Sequence, residues 1–224
     1  MTPISQLYSP YKTSLVSFPG GVFYSPLGLP SDLKSSLLAA FRAPVVEYDG
    51  TIGSQVQQVS NFSIRKVKVL SLPVDLLNTF SEFFTAQVST LTSAFFQKSA
   101  TPCGGFSYLK YESPGGHYDF HSDNGHVFTQ DGITKLTFDY PCRQVSMVYY
   151  LNDDYEGGEI EVAPEGSSSL LIKPKADHIL LFPSDARYPH KVHPLKSGTR
   201  YAVVNWFSLE GLTDSTAPAV VKGT

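Results

Sequence analysis

Two side chains suited to bind a metal ion, His121 and Asp123, stand two positions apart in the segment from Tyr118 to Asp123. In a β-strand, residues i and i+2 point to the same face, so an imidazole and a carboxylate would project together. A third imidazole from another strand would complete a set of two histidines and one carboxylate. That set leaves positions open on ferrous iron for a cosubstrate and oxygen. The alternative is a pair of surface residues, and a single His-x-Asp does not decide between the two.

The third ligand has five candidates: His117, His126, His178, His190 and His193. His190 and His193 differ by three positions, so on a regular strand only one of them faces inward. We prefer His190, because an antiparallel return between it and Arg200 would place both in one cavity. His193 is the second candidate and is expected at the surface or rim. His178 is expected to be exposed. His117 and His126, which flank His121 and Asp123 in the sequence, are expected to serve the loop.

A cosubstrate site is indicated by Arg200, whose planar guanidinium can bind a carboxylate through two hydrogen bonds. An arginine buried in a barrel requires an anion, and a dicarboxylate would supply it. The alternative is a structural ion pair with Asp185 or Glu159. Tyr111 and Tyr150 could donate hydroxyl hydrogen bonds to the same ligand. With 13 tyrosines in the chain, both could equally be ordinary strand aromatics.

Two helices are predicted in the first hundred residues. One follows Pro30 and places Leu33, Leu37, Leu38 and Phe41 at helical spacing. The other runs from near Pro73 to about Ser99, and its apolar residues recur every three or four positions, which is typical of a helix packed on a sheet. Loops are predicted for the remainder of this region.

From Gly105 onward, short runs of apolar and aromatic residues alternate with turn residues, which predicts a mainly β fold of the jelly-roll type. The helices would cover one face of the larger sheet. We predict a single domain over 1–224, with N-terminal support (1–104), a core (105–208) and a tail (209–224). The predicted strands are 105–112, 117–123, 133–138, 143–151, 158–163, 168–173, 178–182, 188–193 and 200–208.

Composition excludes several classes of protein. Of the 224 residues, 42% are hydrophobic and 17% charged, which is typical of a folded domain. The net charge of −3 argues against a nucleic-acid partner. Two cysteines, Cys103 and Cys142, are too few for a secreted disulfide scaffold and are expected as free thiols. No signal peptide or apolar run of membrane-spanning length is found, so we expect a cytoplasmic protein without a membrane partner.

Several motifs in order resemble those of the prolyl hydroxylases among the Fe(II)- and 2-oxoglutarate-dependent dioxygenases. The likeness spans roughly 105–208 and is closest to the oxygen-sensing prolyl hydroxylases and their microbial relatives. It rests on Tyr111-x3-Gly-x2-Tyr118-x2-His121-x-Asp123, the strand from Arg143 to Asp153, Gly157-Gly158-Glu159, Pro164-Glu165-Gly166, Pro174-Lys175, Leu181-Phe182, the stretch from Tyr188 to Pro194, and Gly198-Thr199-Arg200-Tyr201 through Trp206.

The resemblance implies a double-stranded β-helix core. It implies Fe(II) at His121, Asp123 and His190, and 2-oxoglutarate bound through Arg200 with Tyr150 beside it. Further roles that it implies are Tyr111 near the cosubstrate, Trp206 lining the site near the substrate, and Arg143 near the substrate entrance. Ascorbate is a candidate reductant.

The expected reaction is hydroxylation of a C–H bond with succinate and CO2 as coproducts. The first hypothesis is prolyl 4-hydroxylation of a proline-containing peptide or protein, and the second is hydroxylation of a free amino acid or other small molecule. A hypothesis from another class is a non-catalytic jelly-roll binding module, which predicts no dependence on iron. The sequence departs from the family in a long segment from Asn124 to Cys142, which we expect to form a loop or hairpin at the mouth of the site.

Overall fold

A computed structural model describes residues 16–18, 21–43, 45–53, 58–129, 132–135 and 140–211. For residues 16–18, 53, 58–59, 126–129 and 132–135 it describes the main chain only. The predicted tail therefore lies mostly outside the described residues, and its first residue, Leu209, is still part of a strand.

Both predicted helices are present, as α1 (Ser31–Arg42) and α2 (Val74–Phe96). Each follows a proline in extended conformation and carries an aspartate in its first turn, where a negative charge complements the partial positive charge of the helix N-terminus. The side chains that α2 buries recur every three or four residues: Phe80, Phe84, Val88, Leu91, Thr92 and Phe96. This stripe packs on the large sheet.

The large sheet is antiparallel and has nine strands among the described residues. Its central members are long and almost wholly buried, because helices cover one face and a second sheet covers the other. In sheet order the strands are β1 (Val16–Phe18), β2 (Val22–Pro26), β17 (His178–Pro183), β13 (Val145–Tyr150), β20 (Thr199–Leu209), β9 (Ser107–Glu112), β7 (Lys68–Ser71) and β3 (Val46–Asp49), with β8 (Ala100–Pro102) also paired to β20.

The second sheet provides the opposite wall of the barrel. In order it consists of β12 (Gly132–Lys135), β11 (His126–Thr129), β10 (His117–Ser122), β18 (His190–Val192), β15 (Ile160–Val162) and β16 (Leu170–Ile172), with β6 (Arg65–Lys66) also paired to β10. Two short pairs complete the described strands: β14 (Glu156–Gly157) with β19 (Leu195–Ser197), and β4 (Ile52–Gly53) with β5 (Gln58–Val59).

Strand β13 contributes side chains to two hydrophobic cores. Met147 and Tyr149 pack with the helices, whereas Val148 and Tyr150 pack between the sheets. Successive strand residues point to opposite faces, so a strand covered on both sides is apolar throughout. The predicted jelly-roll architecture is thereby confirmed, and each of the nine strands predicted after residue 105 has a counterpart.

The N-terminal hundred residues differ from the prediction of loops and two helices. They also contribute β1, β2, β3, β7 and the start of β8 to the large sheet, β6 to the second sheet, and the separate pair β4–β5. The cause is pairing with distant segments, since β2 lies against β17 with Phe23 opposite Leu181. The edge strand β3 is largely exposed, so it lacks the alternation that marks a half-buried strand.

Cys103 and Cys142 are free thiols, as predicted. Of the helices described, none combines the length and hydropathy that crossing a membrane requires.

Candidate metal centre and cosubstrate pocket

Three side chains predicted to bind metal lie together between the sheets. His121 is in β10, and Asp123 is the first residue after that strand, which ends one residue earlier than predicted. His190 is in β18 directly opposite His121, because β10 and β18 pair antiparallel. One donor atom from each of the three residues lies within 4.8 Å of the other two.

Main-chain carbonyls fix both imidazole rings. Nδ1 of His121 lies 2.8 Å from the carbonyl oxygen of Asp119, and Nδ1 of His190 lies 3.2 Å from that of Tyr188. A carbonyl oxygen only accepts hydrogen bonds, so each Nδ1 carries a proton and Nε2 is the nitrogen available to a metal ion. The two Nε2 atoms face the Asp123 carboxylate at 3.7 and 3.4 Å.

The electrostatics of the cluster suit a divalent cation. Burial and, to a smaller extent, the neighbouring His190 lower the pKa of His121 to about 3, so His121 is neutral at physiological pH. Burial alone would raise the pKa of Asp123, but the two histidines and hydrogen bonds from Ser146 and Trp206 outweigh it and hold that pKa below its ordinary value. A carboxylate with two imidazoles is the donor set of non-haem Fe(II) sites, so these residues fit ferrous iron.

Arg200 is the largest side chain buried in the fold, with 1% of its surface exposed. It lies on β20 opposite Tyr111 of β9, and its Cζ is 4.9 Å from the ring centre of Tyr111 and 5.1 Å from that of Tyr150. Nε and Nη1 of Arg200 and the hydroxyl of Tyr150 are buried and have no hydrogen-bond partner. Burial raises the pKa of both tyrosines, so their phenols stay protonated and able to donate.

No carboxylate among the described residues pairs with Arg200. Asp185, a partner considered from the sequence, instead binds Arg187 at 3.0 Å. No ion pair joins Glu159, the other partner considered, to Arg200 within the described part of the chain. A buried cation without a counter-charge is costly, because neither water nor an anion stabilises it. The unpaired donors of Arg200 and Tyr150 therefore fit the carboxylate of a bound ligand.

One cavity of about 200 Å³ joins these features. His121, Asp123 and His190 line it together with Arg200, Tyr111 and Trp206. Tyr150 stands behind Arg200 rather than in the cavity wall. A ligand in this space would reach the histidines and the guanidinium at once.

Comparison with known proteins agrees with this geometry. The family described as the 2OG-Fe(II) oxygenase superfamily matches residues 106–208. Egl nine homolog 1 of Homo sapiens is 43% identical over 70 residues, which are 29% of this chain and 16% of that protein. Prolyl 3-hydroxylase 2 of Homo sapiens is 37% identical over 75 residues, 33% of this chain and 11% of that protein. The chain thus spans only a small part of these relatives.

Two solved structures share the fold. A prolyl hydroxylase from Trichoplax adhaerens, in complex with a hypoxia inducible factor oxygen degradation domain peptide fragment, superposes with a TM-score of 0.65. It is 23% identical, and the match covers 92% of this chain and 86% of that one. A prolyl-4-hydroxylase from Pseudomonas putida gives a TM-score of 0.57 at 20% identity, with 86% and 95% covered.

The region that this family model matches contains His121, Asp123, His190 and Arg200.

The matched region contains a residue beside the metal cluster that the sequence analysis missed. Ser146 of β13 donates a hydrogen bond of 2.6 Å to Oδ2 of Asp123, and its hydroxyl lies 2.8 Å from that of Ser184. A serine within the otherwise apolar run from Val145 to Tyr150 was the available signal. The bond orients the carboxylate towards the two imidazoles.

Replacing Ser146 with alanine is expected to weaken metal binding about 10- to 100-fold, the range for partners that orient a ligand. Ser184→Ala is the matched control, because it removes a neighbouring hydroxyl and leaves the bond to Asp123 in place. Competition titration of each variant with a chelator measures the affinity. Equal affinities for wild type and Ser146→Ala would show that this bond does not support the site.

The cavity is also lined by Arg143 and Trp206, the two residues predicted to lie on the substrate side. The guanidinium of Arg143 stacks between two rings, with its Cζ 3.7 Å from the ring centre of Trp206 and 3.9 Å from that of Tyr140. Its Nη1 donates a 2.9 Å bond to the main-chain carbonyl of Asp123. Arg143 and Trp206 therefore meet directly above the metal cluster.

The other described histidines lie away from the cluster. His193, the second candidate ligand, has its Nε2 2.9 Å from Oε2 of Glu161. His117 contacts the carbonyl oxygen of Gly115, and His178, which is half-buried rather than exposed, contacts that of Ala176. The side chain of His126 lies outside the described residues. The segment that departs from the family contains the hairpin β11–β12, which extends the sheet next to β10.

Proposed function

We propose that this protein is an Fe(II)- and 2-oxoglutarate-dependent dioxygenase that hydroxylates a prolyl residue of a peptide or protein, with succinate and CO2 as coproducts. The observation that carries the proposal is one cavity with two imidazoles and a carboxylate on one side and an unpaired buried arginine on the other. A non-catalytic jelly-roll module gives no reason to bury Arg200 without a counter-charge.

His121, Asp123 and His190 would hold the iron through two Nε2 atoms and a carboxylate oxygen. When bound, the iron supplies the one-electron and oxygen chemistry of C–H hydroxylation, while the protein supplies position and surroundings. Arg200 and Tyr150 would bind the distal carboxylate of 2-oxoglutarate, and Tyr111 would contact it from the cavity wall. Apolar side chains of Val148, Ile160, Val192 and Ala202 line the same space and exclude water.

The peptide substrate is supported by the relatives. The Trichoplax adhaerens structure is described as a prolyl hydroxylase in complex with a peptide, and the Pseudomonas putida structure as a prolyl-4-hydroxylase. Egl nine homolog 1 and prolyl 3-hydroxylase 2 are 43% and 37% identical to this chain over 70 and 75 residues, respectively. Hydroxylation of a free amino acid by the same cavity is the competing hypothesis.

The test is substrate-stimulated turnover of 2-oxoglutarate by iron-loaded protein, with ascorbate as reductant. We expect a library of proline-containing peptides to include members that stimulate succinate release and gain the mass of one oxygen on proline. Each active peptide has a matched control in which alanine replaces that proline. Stimulation by free amino acids alone would favour the competing hypothesis, and turnover independent of iron would contradict the proposal.

A further inference from the structure

We propose that the mouth of the cavity selects a substrate bearing a carboxylate close to the hydroxylated carbon, and that Arg65 together with Arg143 binds it. This inference rests on the proposed function and extends it to the chemical class of the substrate. Arg65 lies outside the segment that matches the family, so its role does not follow from that match.

The first argument is charge. The described residues that line the cavity include three arginines, Arg65, Arg143 and Arg200, but Asp123 as the one carboxylate. In the proposed complex, the two positive charges of Fe(II) and the charge of Arg200 balance Asp123 and the two carboxylates of 2-oxoglutarate. Arg65 and Arg143 then remain as two uncompensated cations in a partly buried space.

The second argument is the position of Arg65. It lies on β6 opposite Tyr118 of β10, and its guanidinium lies over the Tyr118 ring with Cζ 4.6 Å from the ring centre. The Tyr118 ring in turn stacks on the His121 ring, with centres 3.5 Å apart. One aromatic ring therefore separates Arg65 from an imidazole of the metal cluster, at a distance suited to a substrate group next to the reacting carbon.

The third argument is the unused hydrogen-bonding capacity of Arg65. Its Nη1 donates to the carbonyl oxygen of Thr51, whereas its Nε is buried without a partner. Neither Arg65 nor Arg143 forms an ion pair with a carboxylate in the part of the chain that the structure describes. A buried guanidinium donor without an acceptor is costly, and a substrate oxygen would remove that cost.

Arg65 and Arg143 act on the same region of the cavity. Both line the same cavity, Arg65 over the Tyr118 ring and Arg143 through its bond to the main-chain carbonyl of Asp123. Both positive charges therefore lie beside the metal cluster. Arg143 is held by its stack with Trp206 and by Asp123, so it contributes a fixed charge while Arg65 contributes a free donor.

A carboxylate fits this site better than a phosphodiester. The planar fork of a guanidinium matches a carboxylate in geometry and charge. Nucleic acids also carry anions, but a protein with a net charge of −3 lacks the positive surface that binds their backbones. The carboxylate has two sources: an Asp or Glu side chain beside the target residue of a peptide, or the terminal carboxylate of a short peptide or free amino acid.

The experiment uses iron-loaded protein and three matched substrates. One is an internal proline peptide with a neighbouring glutamate, the second has glutamine there, and the third ends in a free carboxylate next to proline. We expect Arg65→Gln to raise KM for an acidic substrate about tenfold or more, as expected for a lost charge-assisted hydrogen bond, and to leave KM for 2-oxoglutarate unchanged. The glutamine peptide should lose little by the substitution.

Lys66→Gln is the matched control. Lys66 is the next residue of β6, carries the same charge and is exposed, with Nζ donating to the carbonyl oxygen of Pro114. It should leave the preference for acidic substrates intact. Arg65→Lys keeps the charge and should recover part of that preference, provided that melting curves show all variants folded. If Lys66→Gln and Arg65→Gln had equal effects, overall charge alone would explain the preference for acidic substrates, and the proposal would be overturned.

Binding is measured independently of turnover through the emission of Trp206, the single tryptophan of the chain. It lines the cavity against Arg143, so substrate titrations of protein loaded with Mn(II) and 2-oxoglutarate report occupancy. The inference is supported if either acidic substrate binds more tightly than the glutamine peptide and this difference is lost in Arg65→Gln. Which acidic substrate binds more tightly identifies the source of the carboxylate. Equal binding overturns it even if turnover occurs, whereas selective binding without turnover contradicts only the proposed function.

Discussion

Replacing His190 with alanine is expected to abolish 2-oxoglutarate turnover, whereas replacing His193 is expected to leave it intact. His190 is opposite His121 and directs Nε2 at Asp123, whereas His193 is held by Glu161 away from the cavity. Loss of a ligand exceeds the 10- to 100-fold penalty typical of a residue that merely orients one, so we expect a decrease of more than about 100-fold. His121→Ala and Asp123→Ala should behave like His190→Ala.

Comparing the two histidine variants controls for the loss of an imidazole and for any effect on folding. Both remove an imidazole from the same segment, and circular dichroism with thermal unfolding shows whether each variant keeps its structure. Turnover and metal affinity are then measured side by side. Full activity in folded His190→Ala, or a loss confined to His193→Ala, would remove His190 from the proposed ligand set.

Replacing Arg200 with methionine is expected to weaken cosubstrate binding without lowering the stability of the ligand-free protein. The lost charge-assisted contact should weaken 2-oxoglutarate binding by about 2–4 kcal/mol, which corresponds to roughly 30- to 900-fold in KM. The unfolding free energy of the ligand-free protein should not fall accordingly, because an apolar side chain of similar volume replaces a buried cation without a counter-charge. Tyr150→Phe, which removes one neutral hydrogen bond, should weaken binding by only about 0.5–1.5 kcal/mol.

Thermal unfolding with and without 2-oxoglutarate distinguishes weaker cosubstrate binding from lower stability of the ligand-free protein. A ligand that binds the native state raises the melting temperature by an amount that grows with the logarithm of its concentration over Kd. At equal concentration, the shift seen for wild type should therefore be partly reduced in Tyr150→Phe and largely lost in Arg200→Met. A full shift in Arg200→Met would show that the cosubstrate is bound elsewhere. A large fall in ligand-free stability would indicate an internal ion pair for Arg200.

Local sequence patterns predicted the core strands because their alternation and turn residues are local properties. They did not predict β2 or β6, since each is short and is fixed by pairing with a strand far away in the chain. The same distinction applies to the site. His121 and Asp123 were singled out by spacing within one segment, whereas Arg65 comes from a two-residue strand with no motif and reaches the cavity only because β6 pairs with β10.

The alternation of strand side chains indicated that only one of His190 and His193 faces inward, but the reason given for preferring His190 was incomplete. The return to Arg200 was expected to bring His190 inward, and the structure places Arg200 in the opposite sheet. The position of His190 instead follows from the pairing of β18 with β10, which sequence spacing does not encode. Ser146 was missed because its importance depends on a turn residue 23 positions earlier.

The carbonyls of Asp119 and Tyr188 select the tautomer of each histidine before any ion arrives. Loading therefore requires no rearrangement of the chain, and nothing in the donor set favours iron over its neighbours in the first transition row. Affinity of such donors rises from Fe(II) through Co(II) and Ni(II) to Cu(II), and Zn(II) also binds more tightly than Fe(II). A centre of this composition would therefore also bind Zn(II) or Cu(II) where those ions are available.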